Sequence, residues 1–258
     1  MSQGDFRRNP QKRGGRTLAA RRALNLSIMQ EIIQSAAANM LTIDKTDLSR
    51  HHTPRTFSDR IALRVVRMLR TVANGLFGRR YRHRTIVLET IAAVPGMVAA
   101  TLLHLKCLRR MIDDRGWIRT LLNEAETQRA HLMVFVALDR PSLLERLSVL
   151  LAQGFFYNAH FLIYLFSPRT AHRIVGYFAE DAVRGYGQYL EEIRSGKQEN
   201  PPAPAEAISY WNLPPDALLS DVIRAMQEDE AIHRDINHSF ADALENGRNL
   251  PGPPRIVF

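Results

Sequence analysis

The chain has little cysteine, little acid relative to base, and almost no strand pattern. One cysteine in 258 residues, Cys107, excludes an intramolecular disulfide and any zinc site built on several thiolates. Acids number 26 against 35 Lys and Arg, a net charge of 35 − 26 = +9. That balance suits nucleic acid, an anionic membrane or an acidic protein, and does not choose among them. No RNP pattern, zinc-finger spacing or heptad-linked basic helix is present, so a nucleic-acid partner is not expected. A secretory apolar core is also missing from the start of the chain. Low hydrophobicity is not among the deficits. Apolar residues make up 45% and charged residues 24%, which excludes wholesale disorder.

The basic excess is front-loaded. Met1–Ala23 carries six arginines and one lysine against one aspartate, with Pro10, Gly14 and Gly15. An Arg-rich, acid-poor start reads either as a mitochondrial transit segment or as a plain basic tail. Residues 1–55 are therefore expected to be an extension, and 247–258 an irregular tail around GRNLPGPPRIVF.

Between them, residues 56–246 show helical periodicity and sparse turn signals. A first helix is expected over Thr56–Leu76, with Arg60, Arg64, Arg67 and Arg70 three to four apart and so on one side. That stripe is either a solvated face or a surface laid on anionic lipid. A second helix is expected over Arg84–Met111 with a kink at Val94-Pro95-Gly96, and a third over Gly116–Leu138. A fourth begins near Pro141, where Ser142 and Glu145 have capping-box spacing. It leads into 22 residues, 147–168, free of Asp, Glu, Lys and Arg. Gln153, Asn158, His160 and two tyrosines interrupt that run, which favours a buried or half-inserted helix over a spanning one. A fifth helix follows Ser167-Pro168 and reaches Arg194, residues 195–215 form a Pro-rich connection, and a sixth helix spans Asp216–Leu244. The fold class is all-α: a four-helix bundle with two further amphipathic helices.

Acids and histidines recur on the long helices: Glu89 on the second, NEAETQRAHLM ending in His131 on the third, YFAEDAV on the fifth, and Glu230-Ala-Ile-His233 on the sixth. A Glu-x-x-His pair sets both side chains on one helical face. Two such pairs plus one Glu from each of two other helices build a di-iron cage in a bundle. Carboxylates neutralise and bridge the irons, and imidazoles complete the shell.

The stretches RRYRHRTIVLETIAAVPGMV, GWIRTLLNEAETQRAHLM, QGFFYNAHFLIYLFSP, AHRIVGYFAEDAV, PAPAEAISYWNLPPDA and EDEAIHRDINH resemble the alternative oxidase family. These are the cyanide-insensitive ubiquinol oxidases of mitochondria and some bacteria. The resemblance runs from about Phe57 to Gly252. It implies a ferritin-like bundle held on one leaflet of the mitochondrial inner membrane (matrix side), usually as a homodimer. In active members two irons oxidise ubiquinol and reduce oxygen to water without pumping protons.

The resemblance also assigns residues. Glu89, His131, Glu230 and His233 match metal ligands, Gln128 and Ala179 stand where the family has ligand glutamates, and Thr127 replaces an asparagine. Tyr186, seven residues after Ala179, matches a redox-relevant tyrosine. Arg84, Leu88 and Ala182 match quinone-pocket positions, with Phe178 and Asp181 altered beside them. His104, His172, Tyr164, Trp211 and Asp229 match too, and each reads equally well as a structural polar residue.

Two lost carboxylates would leave a buried pair of irons with about half its neutralisation, at a cost of roughly several kcal/mol. Glu180 points about 100° away from position 179, and Glu124 stands about 6 Å below Gln128. The expectation drawn from this shortfall is a catalytically degenerate oxidase: no cofactor, no catalytic residue, and an accessory role in a larger respiratory inner-membrane assembly. Its alternatives are an active di-iron ubiquinol oxidase using Tyr186, a site for one metal ion, and a protein that binds quinone or lipid without turnover.

Overall fold

The computed structural model describes residues 47–77, 81–139 and 141–245. The chain divides into one unit over Thr46–Arg255 and another made of Met1–Lys45 with Ile256–Phe258; the latter lies outside the described residues. The transit-like start and the 247–258 tail fall outside them as well.

Seven helices are described: α1 Phe57–Phe77, α2 Tyr81–Arg110, α3 Trp117–Leu138, α4 Leu143–Phe166, α5 Pro168–Arg194, α6 Ala205–Trp211 and α7 Leu219–Glu245. Among the described residues the only β feature is an isolated bridge between Pro202 and Leu218. The all-α expectation holds. Helices α2, α3, α5 and α7 form the bundle, built on the extensive α5–α7 and α2–α3 pairings. Helix α1 packs on α5, and α4 packs on α2.

Local chemistry sets the helix starts. Thr56 and Asp59 cap α1 reciprocally: the Thr56 hydroxyl accepts from the Asp59 amide at 3.2 Å, and the Asp59 carboxylate accepts from the Thr56 amide at 2.9 Å. Asp114 accepts from the Ile118 amide at 2.8 Å at the head of α3. Ser167 caps α5 with Pro168 in its first turn, where a missing N–H costs nothing. At Ser142–Glu145 the Glu145 side chain lies outside the described residues.

Pro95 sits inside α2, which nevertheless continues to Arg110. The residue after it explains the packing there. A Cβ on Gly96 would stand 2.6 Å from the Leu121 carbonyl oxygen, so the α2 and α3 backbones approach as only glycine permits.

One region differs from expectation, and in another only one of two expected readings is left. The Pro-rich 195–215 connection contains a helix, α6, and the Ala203 amide bonds the Ala217 carbonyl at 2.9 Å. Ala203, Ala207 and Ala217 are thereby folded onto a core with Tyr189, Leu219, Val222, Ile223 and Met226. Helix α4 is not buried. Only 11% of the apolar run in Arg146–Phe166 is covered by the protein, against 61% in Ile86–Arg110 of α2. Leu150, Leu151 and Phe155 are 64%, 67% and 69% exposed. A charge-free run reports what a helix tolerates around it, and here the protein covers only one side.

The lead-in to α1 is tied to the bundle. The Arg234 guanidinium donates to the Asp47 and Arg50 carbonyls at 2.9 and 3.2 Å. Glu180 accepts from the His52 amide and His238 Nε2, both at 2.9 Å, and also bonds His51. Arg173 joins Asp59 at 2.8 Å to His238 Nδ1 at 2.9 Å, locking α1 to α5 and α7.

Candidate metal centre

All four bundle helices send polar side chains to one buried point: Glu89 from α2, Gln128 and His131 from α3, Glu230 and His233 from α7, and Tyr186 from α5. The periodicity is the cause. Gln128 and His131 lie three residues apart on one face, as do Glu230 and His233. Ligand-capable atoms of Glu89, His131 and Glu230 all fall within 4.8 Å of one another. Three of the four sequence-assigned ligands are brought together and His233 stands beside them, its Nδ1 3.8 Å from Glu230 Oε1, whereas Glu180 is bound to the lead-in.

The His131 ring is oriented from behind. Its Nε2 faces Asp229 Oδ2 at 3.2 Å, and that oxygen also accepts from the Trp211 indole at 2.9 Å. The Trp211 and His131 rings stack at 5.8 Å. With Nε2 engaged by a carboxylate, Nδ1 is the nitrogen presented to the centre, 3.4 Å from Glu89 Oε2 and from Glu230 Oε1. Trp211 and Asp229, ambiguous in the sequence, are thus the setting of a ligand.

Electrostatically the centre is a carboxylate–imidazole cluster. Burial opposes charge on His131, but Asp229, Glu230 and Glu89 outweigh it and hold the imidazolium well above its usual range. Burial likewise opposes charge on Glu230, and His131 and His233 outweigh it, keeping the carboxyl well below its usual range.

The donor set fits a metal ion. Buried side-chain atoms without a hydrogen-bond partner include Glu89 Oε2, His131 Nδ1 and Gln128 Oε1. Glu89 Oε2 and His131 Nδ1 stand 3.4 Å apart without a hydrogen bond between them, and an ion bound by both would complete them together with Gln128 Oε1. Carboxylate, imidazole and amide oxygen suit a first-row ion such as iron. Gln128 uses its other amide atom here: Nε2 donates to Glu230 Oε1 at 2.6 Å and lies 3.2 Å from His233 Nδ1. Gln128 thereby ties α3 to α7 at the centre.

A cavity of about 360 Å³ reaches from this centre outward between α1, α4 and α5. Its inner wall includes Glu89, Glu124, Gln128, Ala179, Tyr186, Glu230 and His233. Its outer wall is apolar, with Met68, Leu69, Phe155, Phe156 and Ile163. Leu88 and Ala182 line it, as does Phe178, whereas the Arg84 side chain lies outside the described residues. The Tyr186 hydroxyl donates to Glu89 Oε1 where the cavity meets the centre. The α4 contribution, His160 included, was not legible in the sequence: an interrupted apolar run carries no mark of which residues face inward.

The alternative oxidase family model matches residues 42–242. Among curated relatives, a mango protein named mitochondrial ubiquinol oxidase is 52% identical over 211 residues, 82% of this chain and 66% of the relative. Soybean alternative oxidase 3, mitochondrial, is 51% identical over 82% of this chain and 65% of its own length. Arabidopsis thaliana ubiquinol oxidase 1a, mitochondrial, is also 51% identical, over 82% and 60%. The chain thus spans less than two thirds of the length of these relatives.

These findings correct the expectation of a degenerate chain without cofactor or catalysis. Relatives at this identity are named as oxidases, and the retained donors converge instead of dispersing into core hydrogen bonds. The accessory role rested on lost chemistry, and these findings lend it no support. Helical bundle, ligand positions and the match over most of the sequence agree, and the chain belongs to the alternative oxidase family.

Proposed function

We propose that the chain is an iron-dependent ubiquinol oxidase: two ubiquinols give up four electrons and four protons, and one oxygen molecule becomes two waters. The observation that carries this reading is the set of orphaned donors, Glu89 Oε2, Gln128 Oε1 and His131 Nδ1, at the inner end of a cavity whose outer walls are apolar. Glu89, His131 and Glu230 would hold iron, with His233 and Gln128 beside them. Bound iron supplies the one-electron steps and the oxygen affinity that no side chain here has.

The remaining roles belong to the chain. Asp229 and Trp211 fix the His131 ring. Tyr186, bonded to Glu89, stands where a proton or electron from the cavity meets the ligands. Leu88, Ala182 and the aromatic residues of α4 form a dry channel matching an isoprenoid quinol, a planar polar head on an apolar tail. The exposed apolar side of α4 and the exposed arginines of α1 fit the surface of an anionic bilayer, with the quinol entering between these two helices. The relatives' mitochondrial names support placement at the mitochondrial inner membrane, and we assign the matrix side.

Oxygen uptake by Fe(II)-loaded protein in phospholipid vesicles supplied with ubiquinol-1 tests this. Uptake that resists cyanide and disappears in Glu230→Ala is expected. An iron-loaded chain that consumes no oxygen contradicts the reading.

A further inference from the structure

We propose that His160 of α4 hydrogen-bonds the ring oxygens of the quinol and of the quinone formed from it. The inference rests on the oxidase reading above and assigns, within the same cavity, a side chain that holds the substrate's polar head.

His160 shares one face of α4 with Phe156, Ala159 and Ile163, and these residues all line the cavity. The other side of the helix carries Leu151, Leu162 and Leu165, each more than half exposed. His160 itself is only 6% exposed, so a polar ring is set into an apolar wall. The other buried histidines among the described residues all have side-chain partners. His131 lies 3.2 Å from Asp229, His172 3.0 Å from Asn237, His233 3.2 Å from Gln128, and His238 2.9 Å from Glu180. His160 has no hydrogen bond among the described residues, and its ring meets that of Tyr164 at a centroid distance of 6.4 Å. A buried polar side chain left in that state costs free energy unless something in the cavity completes it.

Charged groups along the cavity are already engaged with one another. Asp181 accepts from Arg70 at 3.0 Å and from Arg184 at 3.1 Å, and Glu89, Glu230 and His233 belong to the candidate metal centre. Burial first, and then His172, hold the His160 ring at about 3, so it is neutral at neutral pH. A neutral imidazole has one N–H donor and one acceptor nitrogen, whereas an imidazolium has donors alone. The acceptor suits a quinol hydroxyl, and the donor suits a quinone carbonyl. One residue thus holds the head in both oxidation states, changing role as the ring oxygen loses its hydrogen. The same bond separates the head from the apolar tail, because a site built for a hydrogen bond rejects a group without one.

The test is binding of ubiquinone-1 to the iron-loaded full chain in phospholipid vesicles. It is read by Kd and by the isotope-edited infrared stretch of the bound carbonyls, with melting temperature as a folding check. In the native sequence the stretch is expected below its frequency in the vesicle lipid alone. His160→Phe, which keeps a ring in the wall, is expected to lose that shift and to weaken Kd by about 2- to 12-fold. His160→Gln, which keeps a donor and an acceptor, is expected to retain the shift. An unshifted stretch in the native chain, or a shift that His160→Phe leaves in place, overturns the proposal and leaves the oxidase reading standing. A native chain that binds no ubiquinone-1 overturns both.

Discussion

His131 shows how much of this site is decided behind the ligands. Its Nδ1 faces the centre because Asp229 engages Nε2 and Trp211 stacks on the ring. Replacing Asp229 by Asn keeps the shape but weakens the pull on the imidazole and the accepted Trp211 bond. Iron affinity is expected to fall about 10- to 100-fold, read by competition with a chromophoric chelator. An unchanged affinity would separate Asp229 from the centre. Two other histidines predict a pH response. Burial holds His160 at about 3 and His172 at about 4, so both are neutral in the fold. The unfolded chain takes up their protons below about 6.5. Stability is therefore present above that pH and lost as pH falls from 6.5 toward 4, by at most about 1.4 kcal/mol per pH unit for each group. Melting temperatures of the metal-free protein between pH 6.5 and 4.5 are expected to drop, with a shallower drop in His160→Phe. Identical slopes would show that His160 is not neutral in the fold. Of the site residues, Glu89, His131, Glu230 and His233 were legible in the sequence from spacing and family resemblance. Their capacity was not. Counting carboxylates at Gln128 and Ala179 says what is missing, but a linear register cannot show that Gln128 donates to Glu230 or that Glu124 lies in the same cavity.

At the scale of elements, the six long helices were legible because caps and a 3.6-residue period act locally. The short α6 was not, since prolines on both sides read as irregular chain, and its order comes from packing against α3 and α7. The α2–α3 contact offers a sharp test. In an ordinary helix Gly→Ala is worth up to about 1 kcal/mol of added stability. At Gly96 the new methyl would meet the Leu121 carbonyl at 2.6 Å and the Ala125 Cβ at 3.3 Å. Overpacking of that kind costs about 1–3 kcal/mol, so the net sign is destabilising. Thermal denaturation of Gly96→Ala is expected to show a lower melting temperature. A higher one would mean that α2 and α3 stand farther apart than described.

For the whole molecule, Arg70 of α1 and Phe155, Phe156 and Ile163 of α4 line the cavity that ends at the candidate metal centre. On the proposed function, one surface would serve both for attachment and for substrate entry. Leu150 and Leu151 are exposed and do not line the cavity, so they report on attachment alone. Burying each in lipid is worth about 1.5–3 kcal/mol. The double change Leu150→Glu with Leu151→Glu is expected to weaken binding to anionic phospholipid vesicles by roughly a hundredfold or more, about 3 kcal/mol. Equal flotation of both proteins would remove α4 from the membrane contact. Above all of this stands the claim that four retained donors, Glu89, His131, Glu230 and His233, suffice for chemistry where two ligand positions carry Gln128 and Ala179. The most direct measurement is the ratio of ubiquinol oxidised to oxygen consumed by the iron-loaded chain. The account predicts sustained turnover at two ubiquinols per oxygen without accumulating peroxide, and iron-loaded protein that leaves both substrates untouched would contradict it.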